Sequence, residues 1–401
     1  MIELSIVRKY SSLKSMSMFE MLTFQYFDTI VKAKEKGLKV AWTNVPTPLE
    51  LFFANDVIPL EPELISAGLA VLQVDTQKIL TESEKYISKD CCSFQRHVIG
   101  NYFLGGFPKN PDMIVSTNYN SCDAQGKVFE LLNYYEKKPM IYIDFGAEEN
   151  EDGIEYVKAQ LLHAADFIGY HSKYEEFNEE NLKEMIKLSN QSTDLYRDIY
   201  ELRAGAKPPP TNSYDGFIID VINMTNKCGN FNDCISLQKK ILKEIKERTA
   251  KGEGVVDDDA LRIMWFALPP LYNLGLFEEM FEQNNATVVY NELFLSGCDR
   301  IEGNDLFEGL AKKYTRNLLN DSIEKRIKMD LEAAKKYKID AAIHYSLWGC
   351  RPLTSGAPSV QRAFQDEDIP FLILDGDPID PSQCSEGQIK TRLEAFLEMI
   401  R

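Results

Sequence analysis

Eight short apolar runs constrain this chain more than any other feature. Four fall early, at 38–42, 57–60, 113–116 and 140–144, and four fall late, at 263–268, 287–290, 341–345 and 371–374. They show little polar/apolar alternation, the pattern of strands buried on both faces of a parallel sheet. Parallel neighbours need crossover helices, and the stretches 126–138 and 357–366 suit that task. The expected fold class is therefore α/β, with two doubly wound, mostly parallel four-stranded sheet domains plus a helical region. The likeness between the halves is one of layout, not of residue identities.

Between the two groups the period changes. Apolar residues recur at helical spacing in 161–167 and 237–245, and Lys207-Pro208-Pro209-Pro210 cannot continue a helix. The expected organisation is an N-terminal helical arm at 1–35, a first α/β domain at 36–165, a helical region at 166–260 and a second α/β domain at 261–401.

Composition narrows the function. A formal net charge of -17 repels nucleic acid and anionic membrane. No stretch approaches the roughly 18 apolar residues of a membrane span, and no basic segment followed by an apolar run opens the chain. The expectation is a cytoplasmic protein with no membrane and no nucleic-acid partner. Eight cysteines in 401 residues are too sparse for a disulfide scaffold, so they read as thiols or metal ligands.

Three cysteines stand out by place. Cys122 follows the third run of the first group, where a helix begins, and Cys350 follows the third run of the second. Ligands of open parallel sheets bind beyond the carboxyl ends of the strands, and a helix N-terminus favours a thiolate. Cys92 begins Cys-Ser-Phe-Gln-Arg-His after a polar stretch, with Cys91 beside it as an alternative. No CxxC pair is present, so spacing alone gives no metal signature, and a buried structural thiol is the competing reading for each. Cys228 and Cys234 sit before a helix with Asp233 as its cap and read as structural, while Cys298 and Cys384 read as ordinary loop or surface thiols.

Several segments resemble the 2-hydroxyacyl-CoA dehydratase / benzoyl-CoA reductase family. They are Trp42 with Pro48-Leu49-Glu50-Leu51, Pro62-Glu63, Cys92-Ser93-Phe94, Cys122-Asp123, and His344 through Cys350-Arg351-Pro352. The closing run Gly376-Asp377-Pro378-Ile379-Asp380, followed by Ser385-Glu386-Gly387-Gln388, completes the order. The details are closest to an α-type subunit.

The resemblance implies a [4Fe-4S] cluster on Cys92, Cys122 and Cys350, with one iron left open as a Lewis acid. It further implies a heterodimer with a related β-type subunit, an ATP-dependent iron–sulfur activator protein, and an acyl-CoA substrate. The implied reaction removes water from a 2-hydroxyacyl-CoA through a ketyl radical to give a 2-enoyl-CoA. Glu63 is the expected proton-transfer group, with Glu50 as alternative, and His344 is a further candidate near the substrate or cluster. Where family dehydratases place a hydroxyl near the iron this chain has Val45, so Thr43 or Thr47 is expected to substitute. Two alternatives stay open: a subunit of an ATP-dependent benzoyl-CoA reductase, and a non-catalytic [4Fe-4S] electron-transfer protein.

Overall fold

Each of the eight apolar runs forms a strand. In the computed structural model, which describes residues 9–119, 122–146, 149–225, 227–317, 320 and 322–401, they are β1 (Lys39–Thr43), β2 (Val57–Leu60), β3 (Met113–Tyr119), β4 (Met140–Phe145), β5 (Leu261–Phe266), β6 (Ala286–Asn291), β7 (Ala341–Leu347) and β8 (Phe371–Gly376). The first eight residues of the expected N-terminal arm lie outside the described residues.

The strands make two four-stranded sheets in the orders β2-β1-β3-β4 and β6-β5-β7-β8, and every pairing is parallel. The two orders are the same permutation, so winding reverses between β1 and β3 in one sheet and between β5 and β7 in the other. Doubly wound sheets bind ligands at that reversal, outside the strand carboxyl ends. Strand ends differ from the runs by a few residues, and one difference has a clear cause. The run at 263–268 ends its strand at Phe266, because Ala267 turns to φ 66°, a left-handed conformation no strand accommodates.

Helices cover both faces of the first sheet. On one face Trp42 and Ile114 pack with Tyr26 and Ile30 of the helix Met16–Val31, Val98 and Ile99 of the helix Ser93–Phe103, and Val128 of the helix Asp123–Glu136. On the other, Ile141, Ile143 and Phe145 pack against Val157 and Leu161 of the helix Glu151–His171. The helix Leu306–Thr315, although it lies between β6 and β7 in sequence, joins this second face through Leu310 and Tyr314.

The middle of the chain is helical and packs on the second sheet. Its helices Glu179–Gly205, Ser213–Met224 and Phe231–Lys251 start at Asn178, Asn212 and Asn230, whose side chains each accept an amide of the first turn. Buried Arg203 donates from Nη1 to Val289 O at 2.6 Å, and buried Arg262 donates from Nε to Tyr337 O at 2.9 Å and through Nη2 to Ala204 O. These bonds fix the long helix to the sheet. Among the described residues no helix is long and apolar enough to cross a membrane.

Candidate functional site

The three cysteines singled out in the sequence converge. Each stands immediately before a helix: Cys92 before Ser93–Phe103, Cys122 before Asp123–Glu136, and Cys350 before the single turn Arg351–Thr354. Cys350 and Cys122 both act electrostatically on the Cys92 thiol.

The approach of the second half to Cys92 depends on a glycine. Gly349 has φ 76°, and a Cβ there would stand 2.9 Å from the Cys92 nitrogen and 3.1 Å from the Cys91 carbonyl carbon. Both the backbone sign and the contact penalise any side chain here. Next to it Trp348 is 63% exposed, a large apolar surface at the rim of the site.

The thiol electrostatics differ from the expectation of a lowered pKa. Burial pushes Cys92 well up, and repulsion from Cys350 and Cys122 adds to it, while the amides of Gln95 and Phe94 oppose. Burial also raises Cys350, against the Leu353 amide and the Arg326 charge. The helix amides thus act in the expected direction but lose to desolvation.

Further ties from His344 and Arg326 hold the assembly. His344 is fully buried on β7 and stacks on Phe266 at 6.1 Å. Its Nε2 lies 2.9 Å from Leu353 O, and a carbonyl only accepts, so Nε2 carries the proton. Burial lowers its pKa, which keeps the ring neutral. Arg326 donates from Nη1 to Pro352 O at 3.2 Å and pairs with buried Glu292, Nη2 to Oε2 at 2.7 Å. His344 and Arg326 therefore both grip the turn that follows Cys350.

The Asp-x-x-Asp of the closing motif clasps the helix that follows Cys92. Ser93 Oγ donates to Asp377 Oδ1, and Arg96 Nη2 meets Asp380 Oδ2 at 3.0 Å. Asp377 also accepts the amides of Ile379 at 2.8 Å and Asp380 at 2.6 Å. Burial raises the Asp377 carboxyl; Ser382, Arg96 and Gln383 outweigh burial at Asp380 and hold it below its ordinary value.

Glu63 is buried at the first turn of the helix Pro62–Val71. Its Oε2 accepts the Val45 amide at 2.8 Å, and its Oε1 accepts Gln95 Nε2 at 2.6 Å and Gln125 Nε2 at 2.9 Å. Burial raises its pKa despite these three donors. Thr43 is fully buried and donates to Thr47 Oγ1 at 3.1 Å, so the two hydroxyls satisfy each other. Glu50 lies in another setting, held by Ser189 at 2.6 Å, Tyr314 at 2.9 Å and Lys313 at 3.0 Å. Burial acts against its charge, but Lys313 and these bonds keep its pKa low, as for a structural ion pair.

Gln95, Gln125, Ser93, Arg96 and Gly349 carry no role in the sequence reading. One signal was available: Cys92-Ser93-Phe94-Gln95 and Cys122-Asp123-Ala124-Gln125 repeat the spacing Cys-x-x-Gln at two helix starts.

No described cysteine forms a disulfide, and among the described residues no three His, Cys, Asp or Glu side chains close around a point suited to a single metal ion. A polynuclear cluster is wider than one ion and asks only for thiols facing a common volume. Three soft sulfur donors, with Cys92 in electrostatic reach of the other two, fit an iron–sulfur group. Beside the Asp377–Asp380 loop opens a cleft of about 670 Å³, lined among others by Thr76, Tyr272, Pro381, Cys384 and Ile389.

Comparison with known proteins places the chain in a family. The chain is 24% identical over 391 residues to the (R)-2-hydroxyisocaproyl-CoA dehydratase alpha subunit of Clostridioides difficile, covering 95% of this chain and 94% of that one. It is 23% identical over 398 residues to the lactoyl-CoA dehydratase alpha subunit of Anaerotignum propionicum, covering 92% of each. It is also 23% identical over 405 residues to one of the benzoyl-CoA reductase subunits of Thauera aromatica, covering 95% of this chain and 93% of that one. The family model for 2-hydroxyglutaryl-CoA dehydratase, D-component, matches residues 44–400, and the chain belongs to that family.

Proposed function

We propose that this chain is the α-type subunit of a 2-hydroxyacyl-CoA dehydratase, a hydro-lyase that converts a 2-hydroxyacyl-CoA to a 2-enoyl-CoA. The observation that carries the reading is the convergence of Cys92, Cys122 and Cys350 in a chain of this family. The three thiolates would hold a [4Fe-4S] cluster. When bound, such a cluster supplies a Lewis-acidic iron and a one-electron couple to a thioester substrate.

The chain's own residues do the rest. Gly349 admits the second half to the Cys91–Cys92 backbone, and His344 and Arg326 hold the Cys350 turn in place. Asp377 and Asp380 fix the helix behind Cys92. The cleft near that loop is lined by none of Cys92, Cys122, Cys350 or Glu63, so it is not assigned to the substrate. Glu63, buried with a raised pKa, is the carboxyl suited to hold or pass a proton near the thiols. His344 and Thr43 act through the fold, since both are fully buried and engaged with protein partners. The proposed setting is cytoplasmic, in a heterodimer with a related β-type subunit and served by an ATP-dependent iron–sulfur activator. The relatives named as alpha subunits support the heterodimer.

The similarity to a benzoyl-CoA reductase subunit keeps ring reduction of an aromatic acyl-CoA as the second reading. Anaerobic purification with iron and sulfide analysis tests the site, alongside Cys92→Ser, Cys122→Ser and Cys350→Ser. Loss of iron in all three, but not in Cys228→Ser, is the expected result; a metal-free wild-type chain would overturn the reading. Assay of the loaded protein with partner and activator on 2-hydroxyacyl-CoA and on benzoyl-CoA separates the two reactions.

A further inference from the structure

Two cysteines of the site share an arrangement that the proposed activity does not explain. Gln95 lies three residues after Cys92 and Gln125 three residues after Cys122, so each sits in the first turn of the helix its cysteine precedes. Both glutamines are buried. Both donate from Nε2 to the same atom, Oε1 of Glu63, at 2.6 and 2.9 Å. Gln125 Nε2 also donates to Val45 O at 2.7 Å, and since a carbonyl only accepts, this second bond fixes which end of the amide is nitrogen. The Val45 amide closes the arrangement on Oε2 at 2.8 Å.

We propose that Gln95 and Gln125 are positioning residues that set the separation of Cys92 and Cys122 through the single carboxylate of Glu63. The argument is geometric. Two helix starts that each carry a thiol are tied at the same offset to one oxygen atom, and that oxygen belongs to a side chain anchored on a third element. Neither helix can rotate or slide without breaking a buried hydrogen bond and leaving its polar partner unsatisfied, which is costly. Glu63 acts as the common post, and Val45 fixes the post to the loop after β1. That these thiols hold a cluster is the proposed function; that their spacing is set by the glutamines stands apart from it.

The test has one readout without metal and two with it. In a Cys91→Ser background the metal-free chain is treated with a bifunctional thiol reagent, and the Cys92–Cys122 bridged peptide is quantified by mass spectrometry. The same proteins are then loaded anaerobically with iron and sulfide. Iron retention against a chelator and the electron paramagnetic resonance signal of the reduced cluster are read.

Gln95→Leu and Gln125→Leu are each expected to lower bridging and weaken iron retention roughly 10-fold or more, with the same change in signal. The double variant should fall well short of the sum, because both act through one oxygen. Where a leucine variant loses its circular-dichroism signature, Gln95→Asn or Gln125→Asn replaces it, shortening the reach while keeping the amide. Unchanged bridging and retention in folded variants, or additive effects, overturn the inference. Wild-type protein that takes up no iron, with bridging still dependent on both glutamines, sinks the cluster reading and upholds the positioning role.

Discussion

Arg96 and Asp380 meet at 3.0 Å with both side chains buried, and this pair joins the helix behind Cys92 to the loop after β8. A buried ion pair is weak evidence for stability, but removing one partner strands the other in a low-dielectric setting. Arg96→Leu should therefore cost about 3–5 kcal/mol in denaturant unfolding. Arg96→Met with Asp380→Leu should recover most of that loss. A double variant as unstable as the single one would contradict this account.

Gly349→Ala places a methyl against the Cys91–Cys92 backbone at a positive φ. The conformational part alone costs roughly 1–2 kcal/mol, and the contact adds to it. The expected outcome is a folded chain, slightly less stable, whose iron content after anaerobic loading falls sharply. Full iron content would show that the Cys350 turn tolerates displacement.

His344→Leu removes the donor to Leu353 O and should cost about 1–3 kcal/mol by leaving a buried acceptor bare. The larger effect is expected at Cys350, whose alkylation rate in the metal-free chain should rise as its turn loosens. His344→Gln, which keeps a donor, should restore part of the wild-type rate.

Stability should depend on pH at two positions with opposite signs. Asp220 is buried and raised to about 7, chiefly by burial, while accepting from Tyr196 at 2.8 Å and Tyr200 at 2.6 Å. The folded state then holds a proton that the unfolded chain has released, so stability falls as pH rises from about 4 to 7. The loss is on the order of 4 kcal/mol, and Asp220→Asn should abolish that slope. His97 is buried and lowered to about 4 by burial. Here the unfolded chain binds the extra proton, so stability is lost as pH falls from about 6.5 towards 4, and His97→Leu should flatten that limb. Unfolding midpoints between pH 4 and 8 for both variants check the two signs.

The strands were legible because burial on both faces writes itself into short runs of apolar residues, and each run found its strand. The third run spans 113–116 in the apolar pattern, yet β3 continues to Tyr119, since the polar residues at its end do not announce a strand. The order of the strands within each sheet was not readable, because it depends on which crossovers pack where. The same holds for the helix Leu306–Thr315, which covers the first sheet from a place late in the sequence.

At the site, the three cysteines were visible through their position at strand and helix ends and through family likeness. The ties among Glu63, Gln95 and Gln125 were not, because nothing local links a glutamate after β2 to glutamines on two other helices. The motif Asp377-Pro378-Ile379-Asp380 stood out as a signature only. Its work as a clasp on Ser93 and Arg96 appears when the halves are together.

The placement of Cys350 after β7 carries a consequence for biogenesis. During synthesis two of the three thiols emerge with the first sheet, and the third arrives only with the closing strands. Gly349 then packs against the Cys91–Cys92 backbone of the first half. If the three cysteines hold the cofactor as proposed, a nascent or truncated chain lacks one ligand, so acquisition of the cofactor would itself certify that both halves have folded and met.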